Sequence, residues 1–288
     1  MISAIRQEPG DSAVHMTPLK LVAAEASLLA ALMFYFGAIY TGRYYAYFQL
    51  SPLDIGLSFT DFVLQSTRVL TEEVAWPLIF ALVAISIPAS LRTLPSTRRL
   101  WSGISSAWAA LARYNLALVA VGLAIFAAWI VGWEAIYPYV PLAFALIAAG
   151  LLLGQSRAAQ RGARPRNFLG KGIPVLIAVF FLVWGISLFA AREGTRKAVY
   201  DAQHIEERTA VVVFSTQRLS LQGPGVEQKD LGEKTDLRYR YTGLRLLAAR
   251  NGRYFVVPLG WNPNTSSTFV FRETDDTRIE LRPGVRRA

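Results

Sequence analysis

Long apolar runs occupy residues 19–40, 74–91, 114–132, 135–153 and 173–191. A helix rises 1.5 Å per residue, so about 20 apolar residues cover the roughly 30 Å hydrocarbon core of a bilayer. The stretch 114–154 is too long for one pass and is interrupted by Trp133, Glu134, Tyr137, Pro138 and Pro141. It divides into two runs joined by a tight turn. The pattern therefore predicts an α-helical membrane bundle of five transmembrane helices. The first run ends in Tyr40, Tyr44, Tyr45, Tyr47 and Phe48 rather than in a small-x-small cleavage site. It reads as a retained span with an aromatic belt at the interface, not as a signal peptide.

Residues 42–73 form a mixed loop. Ser51-Pro52 and the stretch from Asp54 to Gly56 are turn signals. Ser58 and Asp61 have the spacing of a capping box, and Phe59, Phe62, Val63, Val69 and Leu70 follow. They predict a short amphipathic helix, either lying on the outer surface or packed on the bundle.

After residue 191 the period changes. Residues 192–208 read as a helical linker leaving the membrane. Short β-rich stretches follow at 210–214, 218–221, 237–241, 244–249, 254–257, 268–271 and 278–281. Asn251-Gly252 between two of them is a strong hairpin signal. Residues 209–288 are thus expected to form a small all-β domain, a partly closed barrel or a sandwich.

Charge orients this arrangement. The chain is 53% hydrophobic and only 17% charged, and its net charge is +10. In a soluble protein that excess would point to nucleic acid. Here much of it lies in short gaps between apolar runs. The gap 92–113 holds Arg92, Arg98, Arg99 and Arg113, and the gap 155–172 holds Arg157, Arg161, Arg164, Arg166 and Lys171, neither with an acid. The loop 42–73 holds Arg43 and Arg68 against Asp54, Asp61, Glu72 and Glu73, and the central turn holds only Glu134. Positive loops stay cytoplasmic. The expectation is a plasma-membrane protein with residues 1–18 inside and the β domain extracytoplasmic, away from nucleic acid. There is no cysteine, which excludes disulfides, thiolate metal sites and Cys nucleophiles.

Few residues carry chemistry. Glu25 lies inside the first run, where an ionisable group reads either as part of an ion or proton path or as a snorkelling side chain. Asp54, Asp61, Glu72, Glu73 and Glu134 share the outer side, but their spacing matches no cation loop, so no metal or other cofactor is expected. Trp101, Ile104, Trp108 and Leu111 recur at helical spacing beside Arg98, Arg99 and Arg113. They read as an interfacial helix on anionic lipid or as a plain extension of the next span. Gly150 and Gly154 form a small-xxx-small pair for close helix packing. Arg238, Arg240, Arg245, Arg250 and Arg253 are candidates for a basic face that meets a partner or lipid phosphates, or else are solvated strand residues. Asn264-Thr265-Ser266 is a glycosylation triplet by pattern alone. His204 with Ser215, Thr216 and Ser220 lacks a nucleophile elbow and an acid partner, and Gly223-Pro224-Gly225 is a turn rather than a phosphate cradle.

The stretches YYAYFQLSPLDIGLSFTDFVLQS (44–66) and RYRYTGLRLLAARNGRYFVVPLGW (238–261) resemble uncharacterised actinobacterial multi-pass membrane proteins. The resemblance implies a bacterial plasma membrane and carries no functional residues. The cytoplasmic pieces are too short for a folded enzyme domain. The reading is therefore a non-enzymatic binding or accessory protein that presents its outer β domain to an envelope component or protein partner. The alternative is an oligomeric transporter or channel subunit that uses Glu25.

Overall fold

A computed structural model describes residues 18–69, 114–132, 134–160 and 168–285. Helix α1 is Pro18–Tyr47, with proline at its first position. Two short helices follow, α2 (Pro52–Ile55) and α3 (Phe59–Ser66). Ser51 caps α2 by accepting from the Leu53 amide, and Gly56 ends it at φ 83°. At α3 the expected capping box is present. The Asp61 amide donates to the Ser58 hydroxyl, and the Ser58 amide donates to the Asp61 carboxylate.

Helices α4 (Asn115–Ile130) and α5 (Val140–Gln160) form an antiparallel pair. A Cβ placed on Gly122 would strike Ala143 and Ile147, and one on Gly150 would strike Val119 and the Asn115 carbonyl. The pair Gly150 and Gly154 thus seats α4 within the same chain, the intramolecular use of a small-xxx-small pair. The long helix α6 (Phe168–Gln203) comes next and then a 3-10 turn, Ile205–Glu207. Phe144 of α5 stacks on Phe181 and Trp184 of α6.

The expectation of five spanning helices is corrected here. Among the described residues two helices are long and apolar enough to cross a membrane, Val22–Tyr47 and Gly172–Gln203. The expected span 74–91 and the tetrad Trp101, Ile104, Trp108 and Leu111 lie outside the described residues. The arms of the 114–153 hairpin are apolar but shorter, Asn115–Ile130 and Val140–Gly154. Sixteen helical residues reach about 24 Å. The missing length goes into the connection. Gly132 at φ 90° stops α4, and Glu134–Tyr139 winds as a 3-10 helix. Pro141 is the second residue of α5, where its missing amide hydrogen costs no helical bond.

The outer surfaces of the two long helices suit association with a membrane. Val22, Leu28 and Leu29 on α1 and Leu176 and Phe180 on α6 are exposed. A core helix of a soluble protein would cover such residues. The far half of α1 is different. Tyr40, Tyr44 and Phe48 are buried in the protein. They pack on α6 and on the sheet instead of forming the expected aromatic belt, because α6 outlasts its apolar stretch and runs beside them.

Helices α1 and α6 run parallel. Tyr40 packs with Ala190, Gly194 lies against the Tyr40 carbonyl, and Tyr44 and Phe48 cluster with Ala198 and Ile205. Contacts climb both helices together. A Cβ on Gly194 would sit 2.3 Å from the Tyr40 oxygen, so glycine permits this approach.

The C-terminal region is one antiparallel sheet of β1 (Ala210–Ser215), β2 (Glu227–Asp230), β3 (Tyr239–Arg250), β4 (Arg253–Pro258), β5 (Phe269–Arg272) and β6 (Thr277–Arg282). Its order is β5-β4-β3-β1-β6, with β2 also on β3. The sheet is open, neither a sandwich nor a closed barrel. The link after β5 closes on one bridge, Thr274 with Thr277 at the start of β6, and the two strands splay to opposite edges. Five extended residue steps cover at most about 18 Å, less than the roughly 19 Å across four flat strand spacings, so the short link 273–276 makes the sheet curl. Alternation on β4 shows the two faces. Tyr254 and Val256 join Val213, Tyr241, Leu244 and Phe271 inside the curl, while Phe255 and Val257 pack outward with Leu247 and Trp261 onto Tyr44, Phe48, Ile55 and Ile205.

Candidate functional site: a polar cleft where helices meet sheet

Where the apolar halves of α1 and α6 end, polar side chains from distant parts of the chain converge. Tyr44 faces α6 from the last turns of α1. Asp201 sits in the last turn of α6, and Arg208 follows the 3-10 turn into β1. The Tyr44 hydroxyl donates to Asp201 Oδ2 at 2.8 Å. Arg208 Nη2 donates to the same oxygen at 2.6 Å and also to the Tyr44 hydroxyl. Arg208 Nη1 donates to the carbonyls of Leu246 and Leu247 in β3, each at 3.3 Å. Lys197, one turn before Asp201, approaches Oδ1 at 2.8 Å. The Asp201 side chain keeps only 12% of its surface exposed, and both of its oxygens are engaged.

Beside this network lies a cleft of about 180 Å³. Its walls are Tyr40, Thr41 and Tyr45 of α1, Gln65 and Arg68 at the end of α3, Leu247 of β3, and the Tyr44, Asp201 and Arg208 network. Thr41 is buried, and its Oγ1 has no hydrogen-bond partner among the described residues. Arg68 is exposed and forms no ion pair among them. The lining holds two guanidinium groups, one carboxylate, and neutral hydroxyl and amide donors. It contains no Ser, Cys or His that could act as nucleophile with a base. Guanidinium, hydroxyl and amide groups of this kind can donate to an anion.

Glu25 is exposed on the first half of α1, and no hydrogen bond or ion pair joins it to a described residue. The five strand arginines do not share one face. Arg238 holds Asp230 at 2.9 Å and Glu233 at 3.5 Å near β2. Twelve residues of strand away, roughly 40 Å at 3.3 Å per residue, Arg250 holds Asp61 of α3 at 2.7 Å. Arg253 lies over the Phe255 ring, 5.9 Å from its centroid. Arg245 is buried and donates to the Leu244 carbonyl at 3.1 Å, and burial pulls its pKa down. Arg240 has a buried Nε without a partner among the described residues.

Among the outer acids, Asp61 is committed to Ser58 and Arg250. The Arg250 guanidinium, helped by the Ser58 hydroxyl and amide, holds its carboxyl down at about 2. Asp54 stands on α2, and Glu72 and Glu73 lie outside the described residues. No group of three or more His, Asp or Glu able to hold a metal occurs among the described residues. His204 stacks on Tyr200 and bonds its carbonyl.

The stretches 44–66 and 238–261 meet in space. Phe48 packs on Trp261 with ring centroids 4.9 Å apart, and Asp61 pairs with Arg250. Sequence reasoning missed Asp201, Arg208 and Arg68 as a group. A polar residue just past an apolar run looks like ordinary helix exit, and only Lys197 with Asp201, at i and i+4, was a local signal. Comparison with protein-family models, with curated proteins and with solved structures finds no match to this chain.

Proposed function

We propose that the protein is a membrane-anchored binding or accessory protein that presents its sheet on the extracytoplasmic side of a bacterial plasma membrane to an envelope component or protein partner. The observation that carries this reading is the joint between sheet and helices. Leu247, Phe255, Val257 and Trp261 form one core with Tyr44, Phe48 and Ile205, and the Asp201–Arg208 pair braces it. A sheet tethered only as a flexible tail would need no such joint. Rigid coupling suits a domain whose position above the bilayer matters.

The parallel course of α1 and α6 supports a single side for everything beyond their C-terminal ends. The Arg-rich segment before α6 favours the cytoplasm for the opposite end. The lysines make this testable. Lys20 and Lys171 lie near the starts of α1 and α6, whereas Lys229 and Lys234 are exposed in and beyond β2. A membrane-impermeant amine reagent on intact cells is expected to modify Lys229 and Lys234 and to spare Lys20 and Lys171. An impermeant cross-linker should then trap the envelope partner through the same two lysines. The reverse labelling pattern overturns the placement. Correct labelling without any cross-linked species overturns the binding role.

A further inference from the structure

We infer that the cleft between α1, α3 and β3 is a binding site for a phosphoryl anion, most naturally the phosphodiester of a lipid headgroup. The inference rests on the membrane placement of α1 and α6 and not on the role of the sheet. Three observations converge. The first is an unfilled set of donors. Thr41 lines the cleft and its buried Oγ1 has no partner among the described residues, and Tyr45, Gln65 and Arg68 contribute polar groups to the same space. A buried hydroxyl without a partner is costly, and a ligand oxygen would satisfy it.

The second is charge. Arg208 and Asp201 neutralise each other at 2.6 Å, whereas Arg68 has no acidic partner among the described residues. Among the described residues the lining therefore carries one more guanidinium than carboxylate, beside neutral donors. That suits a singly charged phosphodiester. A carboxylate would fill fewer of the donors, and a cation would meet Arg68 unfavourably.

The third is depth. Thr41 and Tyr45 lie within four residues, about 6 Å along the helix. They follow directly on the apolar part of α1, and Tyr40 is level with Ala190 of α6, next to Arg192. Headgroups occupy the few ångströms just outside the hydrocarbon, so a cleft at this level opens into the phosphate layer.

The test uses the full chain in maltoside micelles, which contain no phosphate. Native mass spectrometry follows binding of dioctanoyl phosphatidylglycerol, with soluble glycerol phosphate as competitor. Wild type should bind one lipid saturably. Arg68→Gln and Thr41→Val should each weaken binding at least about tenfold, while Lys234→Gln on the sheet should leave it unchanged. Arg68 is exposed, so its replacement spares the fold even if Thr41→Val does not. Competition by glycerol phosphate assigns the site to phosphoryl groups in general, and its absence assigns it to the lipid. Equal affinity of wild type and Arg68→Gln, or no saturable lipid binding, overturns the inference. Micelles have no sides, so failure here is independent of the lysine labelling.

Discussion

Asp201 is the residue on which most of the joint depends. Its two oxygens receive Lys197, Arg208 and the Tyr44 hydroxyl. Asn in its place would leave Arg208 largely buried without a counter-charge. Breaking a buried pair from one side costs about 3–5 kcal/mol, and the remaining exposure here lowers that to about 2 kcal/mol. Thermal unfolding of Asp201→Asn should show this as a clearly lowered Tm. Replacing Tyr44 by Phe removes one hydrogen bond to the same carboxylate and should cost about 1 kcal/mol. Equal melting of Asp201→Asn and wild type would mean that the network contributes nothing to the joint.

Asp61 gives a pH dependence with a definite sign. Its carboxyl is held at about 2 against an ordinary value of 3.8. A depressed carboxylate stabilises the fold above its unfolded value, and the contribution disappears as pH falls through the folded one. The Asp61–Arg250 pair should therefore be complete above about pH 4 and lost towards pH 2. A melting difference between wild type and Asp61→Asn is expected at pH 5 to 7 and should vanish near pH 2. A constant difference across that range would remove Asp61 from the latch between α3 and the β3–β4 hairpin.

Among the elements, local chemistry was legible and length was not. The Asn251-Gly252 turn is where its sequence puts it, with both residues at positive φ, 52° and 69°. The Ser58–Asp61 box is likewise written in four consecutive residues. Strand β2 was missed because all four of its residues are exposed and polar and show no alternation. Residues 218–221 were expected to be a strand. Instead they form irregular chain across the curl, where Leu219 and Leu221 cover the inner core. The stretches 237–241 and 244–249 read as two strands and form one, because Gly243 at φ 80° lets the chain pass Gly225 without ending. Hydropathy marked the apolar part of each long helix, yet α1 and α6 continue well past it on tertiary contacts. Gly194 is the test of that contact. Gly194→Val would drive side-chain atoms into the Tyr40 carbonyl. It should destabilise the parallel pair by about 1–3 kcal/mol, measurable as a loss of Tm in detergent.

Over the whole molecule, the candidate site could not be read from the sequence because its parts are far apart in the chain. Tyr44 and Asp201 are 157 residues apart, and Arg208 reaches back to Tyr44 across 164. Motif reasoning works on neighbours, and the spacing between these residues follows no period. Charge patterning could say nothing of the site. It grouped five strand arginines that the fold scatters between α3, the core and the β2 edge.

The parallel helices also set a clock for assembly. The Thr268 hydroxyl donates to the Phe48 carbonyl at 2.7 Å across 220 residues. At a synthesis rate of 5–20 residues per second, the end of α1 waits on the order of ten to forty seconds for its last partner. Throughout that interval Tyr44, Phe48 and Trp261 cannot share a core. The nascent chain thus carries an aromatic, half-built surface at the membrane edge, and that is the surface a chaperone or insertase must shelter until β5 has emerged.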